Sequence, residues 1–359
     1  AVDDISFAVS PGDFCVVIGP SGCGKSTTLH SLTGTVEPTD GTVQLSGEDI
    51  THAPTYERDI GLVFQDFQLF PHRTVRQNVA YGLERTNIDE DESMERIDDA
   101  LDLMDIRSLA DRDPAELSAG QKQRVALARS IVLEPELLLL DEPLGDLDYK
   151  LQKKMEQELL RIHRELDITF IYVTHDQTQA MRLADQLVVM NDGKIEQSAS
   201  VNEVYNNPAT GFVATFVGDS NTFFGTITDI TDGEEKALVK TPFGELRAST
   251  SNLYSEPHDV VGQRMALSVR PHYVTLEADA ENTLDCTVKS VIHQPGSGTQ
   301  LVLNATGEEQ TAEFQLKSHE ILDISADTVT VGWSAENTTL LERNSVVDGV
   351  DLEKDILGE

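Results

Sequence analysis

The chain is 359 residues long and carries 27 Lys and Arg against 63 Asp and Glu, which gives a formal net charge of -36. A length of about two average domains excludes a single small module, and the acidic excess excludes binding of nucleic acid or anionic lipid by bulk charge. No stretch approaches the roughly 18 apolar residues of a membrane span, so the sequence predicts a soluble chain that would depend on another subunit for any membrane role.

Charge and cysteine usage both bear on the compartment. Acidic residues are spread along the whole chain among ordinary core-forming segments. Their self-repulsion weakens in molar salt, where the Debye length falls to about 3 Å, so the charge favours the salt-adapted cytosol of a halophile over a mesophilic acidic protein. The three cysteines, Cys15, Cys23 and Cys286, lack metal-ligand spacing and favour a reducing compartment without disulfides or zinc.

Strand and helix patterns alternate up to about residue 218, which predicts an α/β domain. The predicted strands lie at residues 14–18, 42–45, 60–64, 137–140 and 170–173. One predicted helix begins at Gly24, and three others cover residues 90–104, 119–132 and 151–165. The apolar run at 137–140 is typical of a strand buried on both faces of a mostly parallel sheet.

The pattern changes after Gly218 to short alternating strands separated by Gly and Pro turns. These strands are predicted at residues 226–230, 265–269, 287–292, 300–303 and 328–333. We therefore predict a first domain over 1–218 and a second over 219–359, the latter a small all-β barrel of the OB-like type.

The first chemical motif lies between a predicted strand and a predicted helix. It reads Gly19-Pro20-Ser21-Gly22-Cys23-Gly24-Lys25-Ser26. This matches G-x-x-x-x-G-K-[ST], in which glycines let backbone N–H groups close around phosphate oxygens. Lys25 is expected to neutralise the β- and γ-phosphates and Ser26 to offer a hydroxyl to Mg²⁺, while the side chain of Cys23 has no assigned role.

Two adjacent carboxylates, Asp141 and Glu142, follow the apolar run at 137–140. They lie at the carboxyl end of a strand, the edge where ligands bind in α/β sheets. Asp141 is predicted to hold Mg²⁺ through its hydration shell, and Glu142 to orient or deprotonate the attacking water. Together with the phosphate loop, the pair predicts a P-loop nucleotide hydrolase.

A third stretch, Leu117-Ser118-Ala119-Gly120-Gln121-Lys122-Gln123-Arg124-Val125-Ala126-Leu127-Ala128-Arg129, narrows the class. With Val63-Phe64-Gln65 and Val173-Thr174-His175-Asp176, it resembles the ATP-binding cassette (ABC) family, specifically the ATPase subunits of importers. The resemblance covers residues 1 to about 215. It implies an ABC ATPase that uses ATP and Mg²⁺.

The resemblance also implies roles within one chain. Glu142, His175 and Gln65 would form the catalytic set, with His175 on the γ-phosphate and Gln65 at the junction with the transmembrane subunits. The implied metal-binding residues are Ser26, Gln65 and Asp141. The implied phosphate-binding residues of the loop are Gly19, Pro20, Ser21, Gly22, Cys23, Gly24, Lys25, Ser26 and Thr27.

A second copy of the chain is implied as well. Ser118 and Gly120 lie at a predicted helix N-terminus, where a hydroxyl and free N–H groups favour an anion. In the family this site, with Gln121, meets the γ-phosphate held by the other subunit, and Asp148 lies in the loop that crosses the interface. Two chains would then sandwich two nucleotides around a two-fold axis as a homodimer.

Three departures from the family pattern are visible. Ala119 replaces a usual Gly, which is tolerable only if the backbone keeps φ negative. Gly145-Asp146-Leu147-Asp148 has Gly145 where a small polar residue is usual, which predicts a looser interface loop. The aromatic residue that stacks on adenine in the family would precede this chain, which begins at Ala1 rather than Met, so we expect a few residues to be missing there.

The later part of the chain resembles the accessory β domain of importer ATPases for polyamines, iron(III), sugars, sulfate or molybdate. The resemblance rests on Phe216-Val217-Gly218-Asp219-Ser220-Asn221 and Ser268-Val269-Arg270-Pro271. It implies an importer, with polyamine or iron(III) as the favoured solute. The implied partners are transmembrane permease subunits and, indirectly, a solute-binding protein, with no nucleic acid, at the cytoplasmic face of the membrane.

Two alternatives remain open. A soluble ABC ATPase without a transport role would share the same motifs, although the tandem cassettes or coiled-coil insertions typical of that class are missing here. A nucleotide-gated subunit without turnover is disfavoured because Lys25, Glu142 and His175 are all present.

Overall fold

The computed structural model describes residues 2–145, 147–231, 233, 235–307 and 311–342. The chain divides into two compact units, Ala1–Val201 and Asn202–Glu359. The boundary predicted between residues 218 and 219 lies later in the chain and stays a prediction. Asp146 of the predicted interface loop and residues 343–359 of the predicted second domain lie outside the described residues.

The first unit alternates strands and helices. Its strands are β1 (Phe14–Ile18), β2 (Gln44–Leu45), β3 (Glu48–Asp49), β4 (Ile60–Val63), β5 (Leu137–Asp141), β6 (Thr169–Thr174), β7 (Gln186–Asn191) and β8 (Lys194–Ser200). Its helices are α1 (Lys25–Thr33), α2 (Val75–Ala80), α3 (Glu90–Leu103), α4 (Ala119–Ile131), α5 (Tyr149–Leu166) and α6 (Gln177–Leu183). The α/β architecture predicted from the alternating patterns is therefore confirmed.

The main sheet has six strands in the order β4-β5-β6-β1-β7-β8. The pairs from β4 to β7 are parallel, and β8 is antiparallel to β7. The central strands β1 and β5 are buried almost throughout, as their continuous apolar runs predict for a sheet covered on both faces. Because these strands are parallel, their carboxyl ends meet at one edge.

The strand predicted at residues 42–45 is shorter than expected and lies outside the main sheet. Only Gln44–Leu45 is extended, in a two-stranded ladder with Glu48–Asp49. The amide of Val43 donates instead to the Thr51 hydroxyl at 2.8 Å. The Thr51 hydroxyl therefore accepts the hydrogen bond that a backbone carbonyl of a neighbouring strand would otherwise accept.

The second unit begins with two short helices, α7 (Val201–Asn206) and α8 (Gly211–Phe216). Its strands are β9 (Asn221–Thr231), β10 (Lys236–Thr241), β11 (Gly244–Ser249), β12 (Arg264–Val269), β13 (Asn282–Gln294), β14 (Gly298–Thr306), β15 (Thr311–Ser318), β16 (Thr328–Trp333) and β17 (Thr338–Leu341). Five of them close a barrel in the order β10-β11-β17-β12-β9, which confirms the predicted β-barrel. The other four form a separate sheet, β15-β14-β13-β16, which the sequence did not predict.

Arg270 organises the start of this unit. Its guanidinium is buried and donates to the carbonyls of Tyr205, Ala214 and Asp219 at 2.7 to 3.1 Å. The carbonyls at the end of α8 have no further helical turn to accept from, and a cation there also complements the helix dipole. Arg270 therefore joins the helical segment to the barrel.

Among the described residues, no helix is long and apolar enough to cross a membrane.

Candidate active site

The predicted site residues of the first unit follow neighbouring strands at one edge of the sheet. Val63 pairs with Leu140, Asp141 with Val173, and Ile18 with Thr174. The segments that carry Gln65, Asp141, Glu142, His175 and the phosphate loop therefore leave the sheet side by side. This shared edge explains how motifs far apart in sequence reach one place.

The phosphate loop connects β1 to α1 and depends on its glycines. Gly22 and Gly24 have φ of 83° and 107°, in the left-handed region that glycine adopts without steric cost. A Cβ at Gly19 would lie 2.2 Å from the Met190 carbonyl oxygen and 2.5 Å from the Cys23 sulfur. Glycine at position 19 thus lets the backbone pass close to β7.

Lys25 is the first residue of α1, and its side chain is buried within the loop. Its ammonium group donates to the carbonyls of Gly19 at 2.8 Å and Pro20 at 2.9 Å. Ser26 follows at the helix start and is exposed, and Thr27 is half-buried. The loop therefore holds a positive charge at a helix N-terminus, an arrangement that suits an anion.

Asp141 ends β5 and has a raised pKa. Burial is the main cause and the neighbouring Glu142 adds to it, whereas His30 and Lys25 favour the ionised form. A carboxylate held in this way is stabilised by any further positive charge.

Glu142 and His175 contact each other directly. The His175 Nδ1 lies 3.0 Å from the Glu142 Oε2. Glu142 has φ of 44°, an uncommon conformation for a non-glycine residue, and its amide donates to the Val173 carbonyl at 3.0 Å. This strained turn directs the Glu142 carboxylate towards the residue that follows β6.

The side chains of Gln65 and Glu142 both approach Gly145. A Cβ placed on Gly145 would be 3.6 Å from the Gln65 Nε2 and 3.9 Å from the Glu142 Oε2. Gly145 therefore lies near two predicted catalytic side chains. Its position has ordinary van der Waals space for a small side chain, and the predicted effect of Gly145 on an interface loop stays a prediction.

Ser118 is the N-cap of α4 and shares a capping box with Gln121. The Ser118 hydroxyl accepts from the Gln121 amide at 3.4 Å, and the Ser118 amide donates to the Gln121 Oε1 at 2.9 Å. Ala119 is the first residue of the helix and is not among the residues with positive φ. The backbone condition for alanine at this position is therefore met.

Asp148 caps the next helix, α5. Its carboxylate accepts from the amides of Lys150 and Leu151, both at 3.1 Å. A Cβ on Gly120 would lie 3.3 Å from the Leu151 Cδ1, so the starts of α4 and α5 are neighbours. Ser118, Gly120, Gln121 and Leu151 line a shared cavity of about 290 Å³.

The predicted residues thus form two groups. One lies at the sheet edge and the other at the neighbouring starts of α4 and α5. The first group comprises the phosphate loop with Thr27, Gln65, Asp141, Glu142 and His175. The second comprises Ser118, Gly120, Gln121 and Asp148.

Two supporting contacts were not predicted from the sequence. Tyr172 is fully buried, and its hydroxyl donates to the Gln179 Oε1 at 2.7 Å. The amide of Asp176 donates to the Thr174 hydroxyl at 3.0 Å, which braces the turn around His175. The available signal was the hydroxyl-bearing Tyr172 inside the otherwise apolar strand predicted at 170–173.

Comparison with known proteins gives matches over both units. A family model described as ABC transporter matches residues 2–145, and one described as TOBE domain matches residues 267–341. The spermidine/putrescine import ATP-binding protein PotA of Thermobifida fusca is 40% identical over 347 residues, covering 95% of this chain and 88% of that protein. The Fe(3+) ions import ATP-binding protein FbpC 1 of Rhizobium meliloti is 41% identical over 280 residues, covering 78% of this chain and 77% of that protein.

A solved structure is also similar. It is that of cbiO1 from Clostridium perfringens, part of the ABC transporter complex cbiONQ. The TM-score is 0.54 at 33% sequence identity, and the match covers 57% of this chain and 83% of that one.

Proposed function

Since the chain belongs to the ATP-binding proteins of ABC importers, with an ABC ATPase domain followed by a TOBE β-barrel, we propose that it couples ATP hydrolysis in a two-chain sandwich to solute uptake. The supporting observation is the convergence of Lys25, Gln65, Asp141, Glu142 and His175 on one sheet edge. Each of these residues has a role there that its chemistry suits.

The phosphate loop binds the triphosphate of ATP. Its amides and the N-terminus of α1 face the anion, and the Lys25 ammonium is buried in the same loop. On binding, we expect the ammonium to exchange its bonds with the loop carbonyls for bonds to the β- and γ-phosphate oxygens. A compact cation at this point offsets charge both in binding and in hydrolysis.

The residues at the sheet edge also fit Mg²⁺. The donor set of the Ser26 hydroxyl, the Gln65 amide oxygen and the Asp141 carboxylate consists of the hard oxygen ligands that Mg²⁺ prefers. Burial raises the pKa of Asp141, so a bound cation would relieve the cost of its negative charge. Mg²⁺ supplies neutralisation of the charge that develops on the phosphate oxygens.

Glu142 and His175 provide the acid–base part of the site. The Glu142 carboxylate accepts the proton of the attacking water, and its contact with His175 Nδ1 at 3.0 Å holds its orientation. The other ring nitrogen of His175 is then available to the γ-phosphate. Gln65, whose amide also lies near Gly145, orients the water and couples the occupied site to the transmembrane subunits.

The second group of residues serves the nucleotide of a partner copy. Ser118, Gly120 and Gln121 begin α4, whose free amides and dipole favour the γ-phosphate of the opposite chain. Asp148 lies beside them at the start of α5. The working unit is then a homodimer on the cytoplasmic face of the membrane, bound to permease subunits that receive solute from a binding protein.

The transported solute is a polyamine or iron(III). Relatives named for spermidine/putrescine import and for Fe(3+) import match this chain at similar identity. An uptake assay in a strain that lacks its own importers would compare labelled spermidine with iron(III) for the complete transporter.

A phosphate-release assay tests the core of the proposal. Lys25→Ala removes the cation of the loop and should abolish hydrolysis, whereas Lys194→Ala removes an exposed lysine that forms a salt bridge with Asp3 and should leave it intact. Near-normal turnover of the Lys25→Ala variant would overturn the proposed function.

A further inference from the structure

The turn that follows Gln65 contains two consecutive strained residues. Phe67 and Gln68 have φ of 59° and 41°, in the left-handed region that side chains other than glycine rarely adopt. The Phe67 side chain is buried, and Gln68 is exposed. Two adjacent residues in this conformation persist only where surrounding contacts hold them.

Arg129, in the last turn of α4, supplies those contacts. Its Nη2 donates to the Phe67 carbonyl at 3.0 Å and its Nη1 to the Gln68 carbonyl at 2.8 Å. The guanidinium carbon also lies 5.5 Å from the centre of the Phe70 ring. One planar fork therefore binds both strained peptide units, a geometry that suits arginine and not lysine.

The same helix contacts the chain on the other side of Gln65. The Ser130 hydroxyl donates to the Leu62 carbonyl of β4 at 2.9 Å. Helix α4 thus fixes the strand before Gln65 through Ser130 and the turn after it through Arg129. Between these two attachments the Gln65 amide lies near Gly145, which the Glu142 carboxylate also approaches.

We propose that Arg129 is a positioning residue for Gln65: by holding the Phe67–Gln68 turn in its strained form, it keeps the Gln65 amide near Gly145 and at the metal site. This inference rests on the proposed role of Gln65 towards Mg²⁺. It also makes α4 a direct link between the Ser118 end, which faces a partner nucleotide, and the Gln65 segment.

Arg129→Lys keeps the charge and loses the two-carbonyl fork. We expect the Mg²⁺ concentration for half-maximal ATP hydrolysis to rise about tenfold, as for the loss of one charge-assisted hydrogen bond. Affinity for ATP without Mg²⁺ should stay near the wild-type value, because the phosphate loop is untouched. Arg161→Lys is the matched control, since it removes a guanidinium bond to the Leu103 carbonyl on another helix, away from Gln65, and should leave the Mg²⁺ dependence unchanged.

Relief of the strain provides a second test. Gln68→Gly accepts a φ of 41° without a steric penalty, so adding it to Arg129→Lys should restore most of the lost Mg²⁺ affinity. Gln68→Val raises the strain at an exposed position with Arg129 intact and should shift the Mg²⁺ dependence in the same direction as Arg129→Lys. This variant decides the question if Arg129→Lys does not fold.

Wild-type Mg²⁺ dependence in either Arg129→Lys or Gln68→Val would overturn the positioning role, as would a shift that Gln68→Gly does not reverse. A wild-type chain that hydrolyses no ATP would instead overturn the proposed function on which the inference rests.

Discussion

Replacing Gly19 by alanine perturbs the phosphate loop at its tightest point. The added Cβ would lie 2.2 Å from the Met190 carbonyl oxygen and 2.5 Å from the Cys23 sulfur. Because the nearer atom belongs to the backbone of β7, the loop must move by about an ångström to accept the methyl group. The Gly19 carbonyl accepts from the Lys25 ammonium, so this movement displaces the cation as well.

The size of the effect follows from the cost of overpacking, about 1–3 kcal/mol. If ATP requires the original loop geometry, that cost lowers affinity by about 5- to 150-fold, since each 1.4 kcal/mol is about tenfold. Isothermal titration calorimetry with ATP measures the change. The control is Gly47→Ala, where φ is 84° and no atom of the described residues, apart from Gly47 and its chain neighbours, lies within 4 Å of the new Cβ, so the change adds left-handed strain away from the site.

We expect both variants to melt at a lower temperature and only Gly19→Ala to lose ATP affinity. Wild-type affinity in Gly19→Ala would refute the steric reasoning. An equal loss in Gly47→Ala would show that general destabilisation, rather than loop geometry, controls binding.

Three further outcomes are expected. Ser118→Arg should leave ATP binding by the monomer intact and block ATP-dependent dimerisation in light scattering, and lost binding by the monomer would contradict a site that acts on the partner nucleotide. Burial raises the pKa of Asp141, so the charged carboxylate opposes folding, and Asp141→Asn should raise the melting temperature of the nucleotide-free protein at neutral pH. This gain should vanish as the pH falls through the raised pKa towards the ordinary value near 4, and the absence of a gain at pH 7 would contradict the reasoning. With a net charge of -36, the melting temperature should rise from low to molar KCl, and an unchanged or falling value would refute salt adaptation.

Much of the first unit could be predicted because its signals are local. The continuous apolar runs of β1 and β5 indicate strands that are buried on both faces. The loop after β1 has glycine at the positions where its backbone adopts a left-handed conformation. The prediction at residues 42–45 was too long because the Thr51 hydroxyl competes for the Val43 amide. Such a contact cannot be read from the alternation of side chains.

The second unit was predicted less completely. Strands β10 and β11 alternate the buried Ala237, Val239, Leu246 and Ala248 with outward-facing Lys, Glu and Arg, the pattern of a half-buried strand, yet they were not among the predicted strands. The separate four-stranded sheet depends on pairing between distant strands, which local pattern does not specify.

Within the site, the sequence predicted which side chains end the strands and not how they are held. The contact between Glu142 and His175 requires a left-handed turn at a non-glycine residue. Ser118 and Asp148 were predicted as interface residues, which stays a prediction. In the structure both are helix N-caps, a role that the sequence analysis did not give to Asp148. Arg129 belongs to the quoted signature stretch, but its partners lie about 60 residues earlier and only the tertiary structure brings them together.

The most direct measurement of the two-chain mechanism is light scattering after size-exclusion chromatography of the Glu142→Gln variant at high salt. The amide keeps the shape of the side chain but cannot accept a proton from water, so hydrolysis should fall by about 10² to 10⁴-fold while ATP still binds. We expect ATP with Mg²⁺ to trap a stable dimer of this variant and ADP with Mg²⁺ to leave it monomeric. A monomer in the presence of ATP, with hydrolysis lost, would contradict a nucleotide held between two copies of the chain.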